Sequence, residues 1–360
     1  GVWIMAYTTI DDPSVYFQTA LYTGNVTART ITNDGNSNLQ PDWVWVKSRS
    51  LGTGHRIFDT SRGAGKLLFS DSNTDEQTDA NSITGTASDG FTLGNDSAGF
   101  DVNTNSATYV AWQWKCNGGT ATATASESGD NPAHSVQANT DAGFSIVTYT
   151  GTGADTSTVP HGLGATPKMI IFKRRDGTPN WMVHHANLTS ATKRVNLNTS
   201  NAEGDASNFL DDTAPTSSVF TLGFSAAVNV DGGTFVAYCF APIQGYSKFG
   251  KYTGNASTNG PFIYLGFKPT WIMIRNVSDA ANWNIYDNKR STENVMDDIL
   301  LANGTDAEGA VSGKSVDFLS NGFKIRGNDN EMNDNADTHI YMAFAESPFV
   351  SSEGVPTTAR

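Results

Sequence analysis

The chain has 360 residues, a formal net charge of -13 and 16% charged residues. This acidity disfavours nucleic acid and anionic membranes as ligands, because both are bound by clustered Lys and Arg. No run approaches the roughly 18 apolar residues of a membrane span, and we expect no membrane insertion. The first residues lack the basic start and long apolar run of a signal peptide. Met5 followed by Ala6 resembles a natural start, which leaves residues 1–4 without an interpretation.

Glycine, asparagine, threonine and serine supply most of the polarity, which is typical of β-rich proteins with many turns. The length exceeds the roughly 250 to 300 residues at which single cores stop growing, and it indicates several units. Cys116 and Cys239 are too few for a disulfide framework, and we interpret both as small buried hydrophobic residues.

One predicted strand is apolar on both faces. In PDWVWVKSR, residues 41–49, Trp43 and Trp45 point to one side, and Val44 and Val46 to the other. The stretch recurs as PKMIIFKRR from position 167 and as PTWIMIRNV from position 269. We expect one face to fill a sandwich core and the other to lie beneath a loop, a short helix, another repeat or a neighbouring subunit.

Other motifs recur in the same order. An early strand ends in Tyr-Thr-Gly at 22–24, 149–151 and 252–254, and a closing strand starts at Thr108, Thr234 and Ile340. We therefore predict an all-β chain with three tandem β-sandwich or jelly-roll-like repeats. Their bounds are 5–116, 143–241 and 245–346, with a Gly/Ala/Thr/Ser-rich linker at 117–142 and a C-terminal tail at 347–360. The linker predicts a hinge or spacer between the first two repeats. The short APIQ at 241–244 predicts rigid packing of the last two.

Two aligned Asp-Arg pairs are candidates for either structure or binding. An Asp with an Arg three positions later can staple a turn, which we favour, or present a polar pair to a sugar hydroxyl. The second repeat carries His185 and Leu188 at these positions. Trp181 and Trp283, aligned with His55, could be exposed rings for sugar binding. The candidate ligand-binding residues are Trp181, Trp283, His185, Asp59, Arg62, Asp287 and Arg290.

Further charged groups favour structural roles. We expect the aligned cations Lys47, Lys173 and Arg275 to pair with local carboxylates. The group His161, His184 and His185 has no metal-ligand spacing, and we predict no metal site and no cofactor. The acidic loops 70–80 and 327–339 could bind structural calcium, although solvated loops are favoured because neither fits the helix-loop-helix calcium pattern.

No nucleophile-base arrangement or phosphate-binding glycine loop is present, and we predict that the protein is not an enzyme. Two carboxylates from any part of a β fold could support glycoside hydrolysis, but that pattern is unspecific.

Several long motifs, among them MAYTTIDDPSVYFQTALYTG, VPHGLGATPKMIIFKRR and GYSKFGKYTGN, resemble the repeat-bearing, tail-fibre-like virion proteins of tailed bacteriophages, many of them marine. The resemblance implies a virion component that is made in the host bacterial cytoplasm and released by lysis. It favours a tail-fibre or adhesin subunit that contacts a host surface glycan or protein. By analogy, its partners are other virion proteins and further copies of itself, with a trimer as the expected oligomer. The alternatives are an architectural capsid-decoration or tail protein without ligand, and a polysaccharide depolymerase.

Overall fold

Short strands separated by turns make up nearly all the regular structure of residues 6–357, the part of the chain that the computed structural model describes. Met5, the expected start of the first repeat, and residues 358–360 of the expected tail lie outside this range. The described residues contain one short 3-10 helix, Pro13–Val15, and one α-helical turn, α1 (Asn330–Asn333). No helix in this range is long and apolar enough to cross a lipid bilayer.

The strands follow one another in three groups along the chain. The first group is β1 (Phe17–Thr23), β2 (Arg29–Ile31), β3 (Trp43–Ser48), β4 (Arg56–Asp59), β5 (Lys66–Leu67), β6 (Gln77–Thr78), β7 (Ile83–Thr86), β8 (Phe91–Leu93) and β9 (Thr108–Trp114). The second is β10 (Ala123–Ala125), β11 (Ala133–Asn139), β12 (Phe144–Thr150), β13 (Ser157–Pro160), β14 (Met169–Arg174), β15 (Met182–His185), β16 (Lys193–Asn196), β17 (Gly204–Asp205), β18 (Val219–Leu222) and β19 (Thr234–Phe240). The third is β20 (Ser247–Thr253), β21 (Phe262–Tyr264), β22 (Phe267–Asn276), β23 (Asn284–Asp287), β24 (Asp298–Leu301), β25 (Gly309–Ala310), β26 (Val316–Leu319), β27 (Gly322–Ile325) and β28 (Thr338–Pro348).

Three large antiparallel sheets organise these strands. Their orders are β1-β9-β3-β4, then β10-β11-β12-β19-β14-β15-β16-β17, and β20-β28-β22-β23-β24-β25. A smaller sheet accompanies each of them, ordered β2-β8-β7, β13-β18 and β21-β27-β26. We call each large sheet with its small sheet unit I (residues 17–114), unit II (residues 123–240) and unit III (residues 247–348). The fold is thus all-β and sandwich-like.

The strand with two apolar faces lies between two cores. Val44 and Val46 on β3 pack into a core between the two sheets of unit I, together with residues such as Phe91 of the small sheet. Trp43 and Trp45 point the other way, into a larger core that residues of all three units share. Every residue of β3 is buried. The layer that covers its second face therefore consists of the other two units.

Aromatic rings from the three units meet in this shared core. The Trp43 ring centroid lies 4.4 Å from that of Trp114 and 4.8 Å from that of Tyr238 in unit II. Trp114 in turn lies 5.6 Å from Trp271 in unit III. Such offset and edge-to-face pairs add to the free energy gained by burying the rings. Units I and II are therefore in direct apolar contact, in contrast to the predicted hinge.

The segment predicted as a linker, residues 117–142, is partly sheet. Its strand β11 pairs with β12 over seven residues, from Ala133 opposite Thr150 to Asn139 opposite Phe144. The physical reason is that an edge strand offers unpaired backbone groups, and the segment satisfies them. The exposed β10 continues the sheet outward.

The pairing also corrects the register of the last closing strand. Thr108, Thr234 and Thr338 each lie opposite the Thr of a Tyr-Thr-Gly motif, at the end of the paired first strand. The third closing strand thus starts at Thr338, two residues before the Ile340 that sequence comparison indicated.

Candidate functional site

All seven residues that the sequence suggested as ligand contacts are buried. Their exposed fractions lie between 0% for Trp181 and 7% for Arg62. A ligand cannot reach such groups while the units remain packed. Their hydrogen bonds show what they contribute instead. Five of the seven residues make a bond to another unit, and the two arginines bond within their own unit.

The three aligned residues at the start of β4, β15 and β23 each contact a backbone carbonyl of another unit. The indole Nε1 of Trp181 in unit II donates to Phe69 O in unit I over 2.8 Å, and that of Trp283 in unit III donates to Asn196 O in unit II over 2.9 Å. His55 Nε2 in unit I lies 2.8 Å from Leu301 O in unit III. The three contacts form a cycle around the shared core.

The aligned cations repeat this cycle, and the expectation that they pair with local carboxylates is wrong. Lys47 Nζ donates to Thr305 O of unit III over 3.3 Å, and Lys173 Nζ donates to Asn73 O of unit I over 3.1 Å. Arg275 donates to Asn196 O of unit II over 2.9 Å. Burial lowers the pKa of both Lys47 and Lys173 to about 8. Carbonyl oxygens rather than full charges therefore hold these cations.

An ionic network lies at the interface of units I and II. Arg62 Nε donates to Asp59 over 2.5 Å, and its Nη1 lies 3.1 Å from Glu76. Glu76 also pairs with Arg175 of unit II over 2.9 Å, and the Tyr238 hydroxyl of unit II donates to Asp59 over 2.6 Å. Burial opposes the charge, yet the adjacent Asp59 carboxylate raises the pKa of Arg62 above its ordinary value. The Asp59–Arg62 pair staples its own turn in unit I. Tyr238 and Arg175 then connect Asp59 and Glu76 to unit II.

The same arrangement lies between units I and III. Arg290 Nε donates to Asp287 over 2.6 Å, and its Nη1 lies 3.0 Å from Glu308. Glu308 reaches Arg49 of unit I over 2.7 Å. Trp112 of unit I donates its indole hydrogen to Asp287 over 2.9 Å, in the role that Tyr238 has in the first network.

The interface of units II and III lacks this chemistry. His185 replaces the aspartate and lies 3.2 Å from Tyr341 O of unit III. Burial lowers the pKa of His185 to about 3, which keeps it neutral. Leu188 replaces the arginine. Glu203 of unit II donates its backbone N–H to Val277 O of unit III over 2.9 Å, and its carboxylate accepts from Thr189 N over 3.0 Å. Apolar contact and hydrogen bonds to backbone carbonyls, those of Arg275 included, thus hold the third interface, and no ion pair among the described residues crosses it.

The two acidic loops that could bind calcium form no cluster of metal ligands in the described residues. Within residues 6–357, no group of three or more His, Cys, Asp or Glu side chains could hold a metal ion. Glu76 of the first acidic loop is engaged by arginines, and Asp329 of the second accepts from Glu331 N at the start of α1. The histidines 184 and 185 are buried on β15 and share no site with His161.

The accessible features of the described residues include a cleft and an exposed pair of aromatic rings. A cleft of about 440 Å³ opens between units I and III, with the ion pair of Lys289 and Asp34 (2.8 Å) and the hydrogen bond of Asn288 to Glu346 (2.7 Å) among its lining groups. On the outer side of unit III, β21 exposes two large rings, Phe262 at 46% and Tyr264 at 50%.

Sequence reasoning missed this aromatic pair, although a signal was present. Phe262 and Tyr264 flank the buried Ile263 in strict alternation, as in an edge strand with one apolar face toward solvent. In the small sheets of units I and II, the position of Phe262 is occupied by Thr30 and Thr158, which pair with the neighbouring strand in the same way.

A family model described as "Domain of unknown function (DUF7483)" matches residues 12–348. No curated protein and no solved structure matches the chain.

Proposed function

This chain belongs to the DUF7483 family, and we propose that it is a virion structural protein of a tailed bacteriophage, a tail-fibre or adhesin subunit that contacts a glycan or protein of the host surface. The observation that carries the proposal is the closed cycle of three interlocked units. Their inner faces and charged groups are used for mutual packing, and they leave the outer surface for contact with partners.

The proposal includes an origin of the three units as tandem repeats. Equivalent strands follow the same order in the three large sheets, as β1-β9-β3-β4, β12-β19-β14-β15 and β20-β28-β22-β23. The double-faced strands β3, β14 and β22 each pair with a closing strand and with the strand that follows them. Recurrence of the buried cation and of the indole or imidazole at matched positions supports the same interpretation.

A rigid body of this kind suits a particle that must survive outside a cell. Each unit buries one face of its main sheet against the other two, so that a core of three units is completed within a single chain. Association with further copies, as in the expected trimer, and with other virion proteins would therefore use the outer sheets and loops.

Labelling of purified phage particles with antibody against the recombinant protein tests the location. We expect label along the tail or at its tip, and binding of the labelled protein to host cells. Label on the head shell without cell binding would instead establish the architectural alternative. Shortened host polysaccharide after incubation with the protein would establish the depolymerase alternative and overturn the proposal.

A further inference from the structure

The exposed aromatic pair of unit III has no counterpart in the small sheets of units I and II. Side chains in the core of the unit, such as Ile263, are only 6% exposed, whereas Phe262 and Tyr264 stand on the opposite face of the same strand. An exposed ring gains little from the hydrophobic effect, and the matched threonines of units I and II show that the sandwich does not need one. Exposed apolar groups that fold stability does not require mark interaction sites.

The two rings stand on the same face of β21. Residues two apart on a strand point to the same side, about 6.6 Å from each other along the strand. Phe262 lies beside Gly322 of β27, where a Cβ atom would come 3.1 Å from its Cε2 atom. The Phe262 ring lies against the space that a side chain at Gly322 would take, and it remains 46% exposed.

Hydroxyl groups border the rings. Tyr7 OH lies 3.4 Å from Tyr264 OH and donates to Gly266 O over 2.8 Å. Two phenolic oxygens thus stand at the end of the aromatic surface, where they can exchange hydrogen bonds with the hydroxyls of a bound molecule. Flat rings next to hydroxyl donors and acceptors suit a pyranose, which has an apolar CH face and a polar rim.

Two lysines give this surface a positive charge within an acidic protein. Lys248 Nζ stands 5.3 Å from the Tyr264 ring centroid and donates to Tyr264 O. Lys324 lies opposite Phe262 on β27 and donates to Gly260 O. Among the residues that the structure describes, neither lysine forms an ion pair with a carboxylate. The matched positions of Lys248 in units I and II, Gln18 and Ser145, are uncharged.

We propose that Phe262, Tyr264, Lys248 and Lys324 form a binding site for a carboxylated pyranose, such as a uronic acid unit of an acidic polysaccharide. The rings stack on the sugar face, and the ammonium groups pair with its carboxylate. The site rests on the proposed function for its biological context, because a host surface glycan is the ligand that an adhesin would meet.

Calorimetric titration of the full chain with tetragalacturonic acid, and with the neutral maltotetraose, tests the site. We expect binding of the acidic tetrasaccharide and no comparable binding of the neutral one. The variant F262T/Y264T, with threonine taken from the matched position, should bind at least about tenfold more weakly. K248Q, which carries the glutamine of unit I, should bind more weakly and with a smaller salt dependence, because Lys324 remains. F224T, which removes a ring that is 58% exposed in unit II, should bind like the parent.

Saturation-transfer NMR provides a second test, on the unmodified protein and on F262T/Y264T. Saturation of the aromatic protons of the protein should pass to the ring protons of tetragalacturonic acid. The saturation transferred should be smaller with F262T/Y264T. Equal binding by F262T/Y264T, a preference for maltotetraose, or no binding of the acidic sugar would overturn the proposal. Label on the phage head with sugar binding intact would reject the tail adhesin but leave this site standing.

Discussion

Tyr238 of unit II donates its hydroxyl hydrogen to the Asp59 carboxylate of unit I over 2.6 Å, across 179 positions of sequence. The acceptor is also held by Arg62 over 2.5 Å, so that one buried aspartate joins a turn to a neighbouring unit. Trp112 and Asp287 repeat the relationship between units I and III over 2.9 Å. These bonds explain why residues of sugar-binding type lie out of reach of a sugar.

Replacement of Tyr238 by Phe removes one hydrogen bond to a charged acceptor. We expect a loss of about 1.5 to 3 kcal/mol in the free energy of unfolding, measured by urea denaturation. The matched control is Y149F, which removes a bond from Tyr149 to the neutral Val228 O inside unit II and should cost about 0.5 to 1.5 kcal/mol. Equal losses for the two variants would argue against a special role for the interface carboxylate.

Replacement of Arg62 by Leu, the residue at the matched position 188, leaves Asp59 and Glu76 without their buried partner. The expected loss is about 3 to 5 kcal/mol, because an unpaired buried charge is costly. The double variant D59H/R62L recreates the pair found in unit II and should recover part of this loss. A double-mutant cycle measures the recovery. Simple additivity would show that the two residues act independently.

Replacement of Trp45 by Ala empties part of the shared core. Trp45 is fully buried beside Trp112, at 5.8 Å between ring centroids, and we expect a loss of about 3 to 5 kcal/mol. F224A removes an exposed ring and should leave the free energy of unfolding nearly unchanged. A stable W45A protein would contradict the assignment of this ring to packing.

His185 should make stability depend on pH below neutrality. Its folded pKa of about 3 is lower than the unfolded value of 6.5, so its contribution is complete above 6.5 and is lost as pH falls toward 3. Between pH 6.5 and 5 the loss is about 2 kcal/mol. H185Q, neutral at every pH, should lack this component of the pH dependence. Parallel stability curves for parent and H185Q would exclude it.

The shared core predicts that the three units unfold together. Calorimetry of the full chain should give one transition with equal calorimetric and van't Hoff enthalpies. Separate transitions, or an early one from unit I, would instead restore the hinge expected at residues 117–142.

The sequence allowed the all-β class and the covering of both faces of PDWVWVKSR to be predicted, because alternation fixes which side chains point together. The sequence could not identify which part of the chain packs on the second face of this strand, since an apolar Trp43 does not tell which distant segment buries it. The same limit applies to Trp181, whose acceptor, Phe69 O, lies 112 positions away.

The error at Ile340 has a geometric cause. A shift of two residues keeps every side chain of a strand on the same face, so the apolar pattern of the closing strand fits both registers. Pairing of Thr253 with Thr338 decides between them. A shift of one residue would have reversed the faces, and the sequence would have excluded it.

The cycle of contacts among the three units also bears on the rate at which the protein unfolds. In a linear array, an end unit can separate by breaking a single interface. In a closed ring every unit has two interfaces, and the separation of any unit breaks both. Opening then requires simultaneous loss of buried indole, lysine and carboxylate contacts. Resistance of this kind is a matter of rate, and it would appear as a long half-life against proteases rather than as an unusually large equilibrium stability.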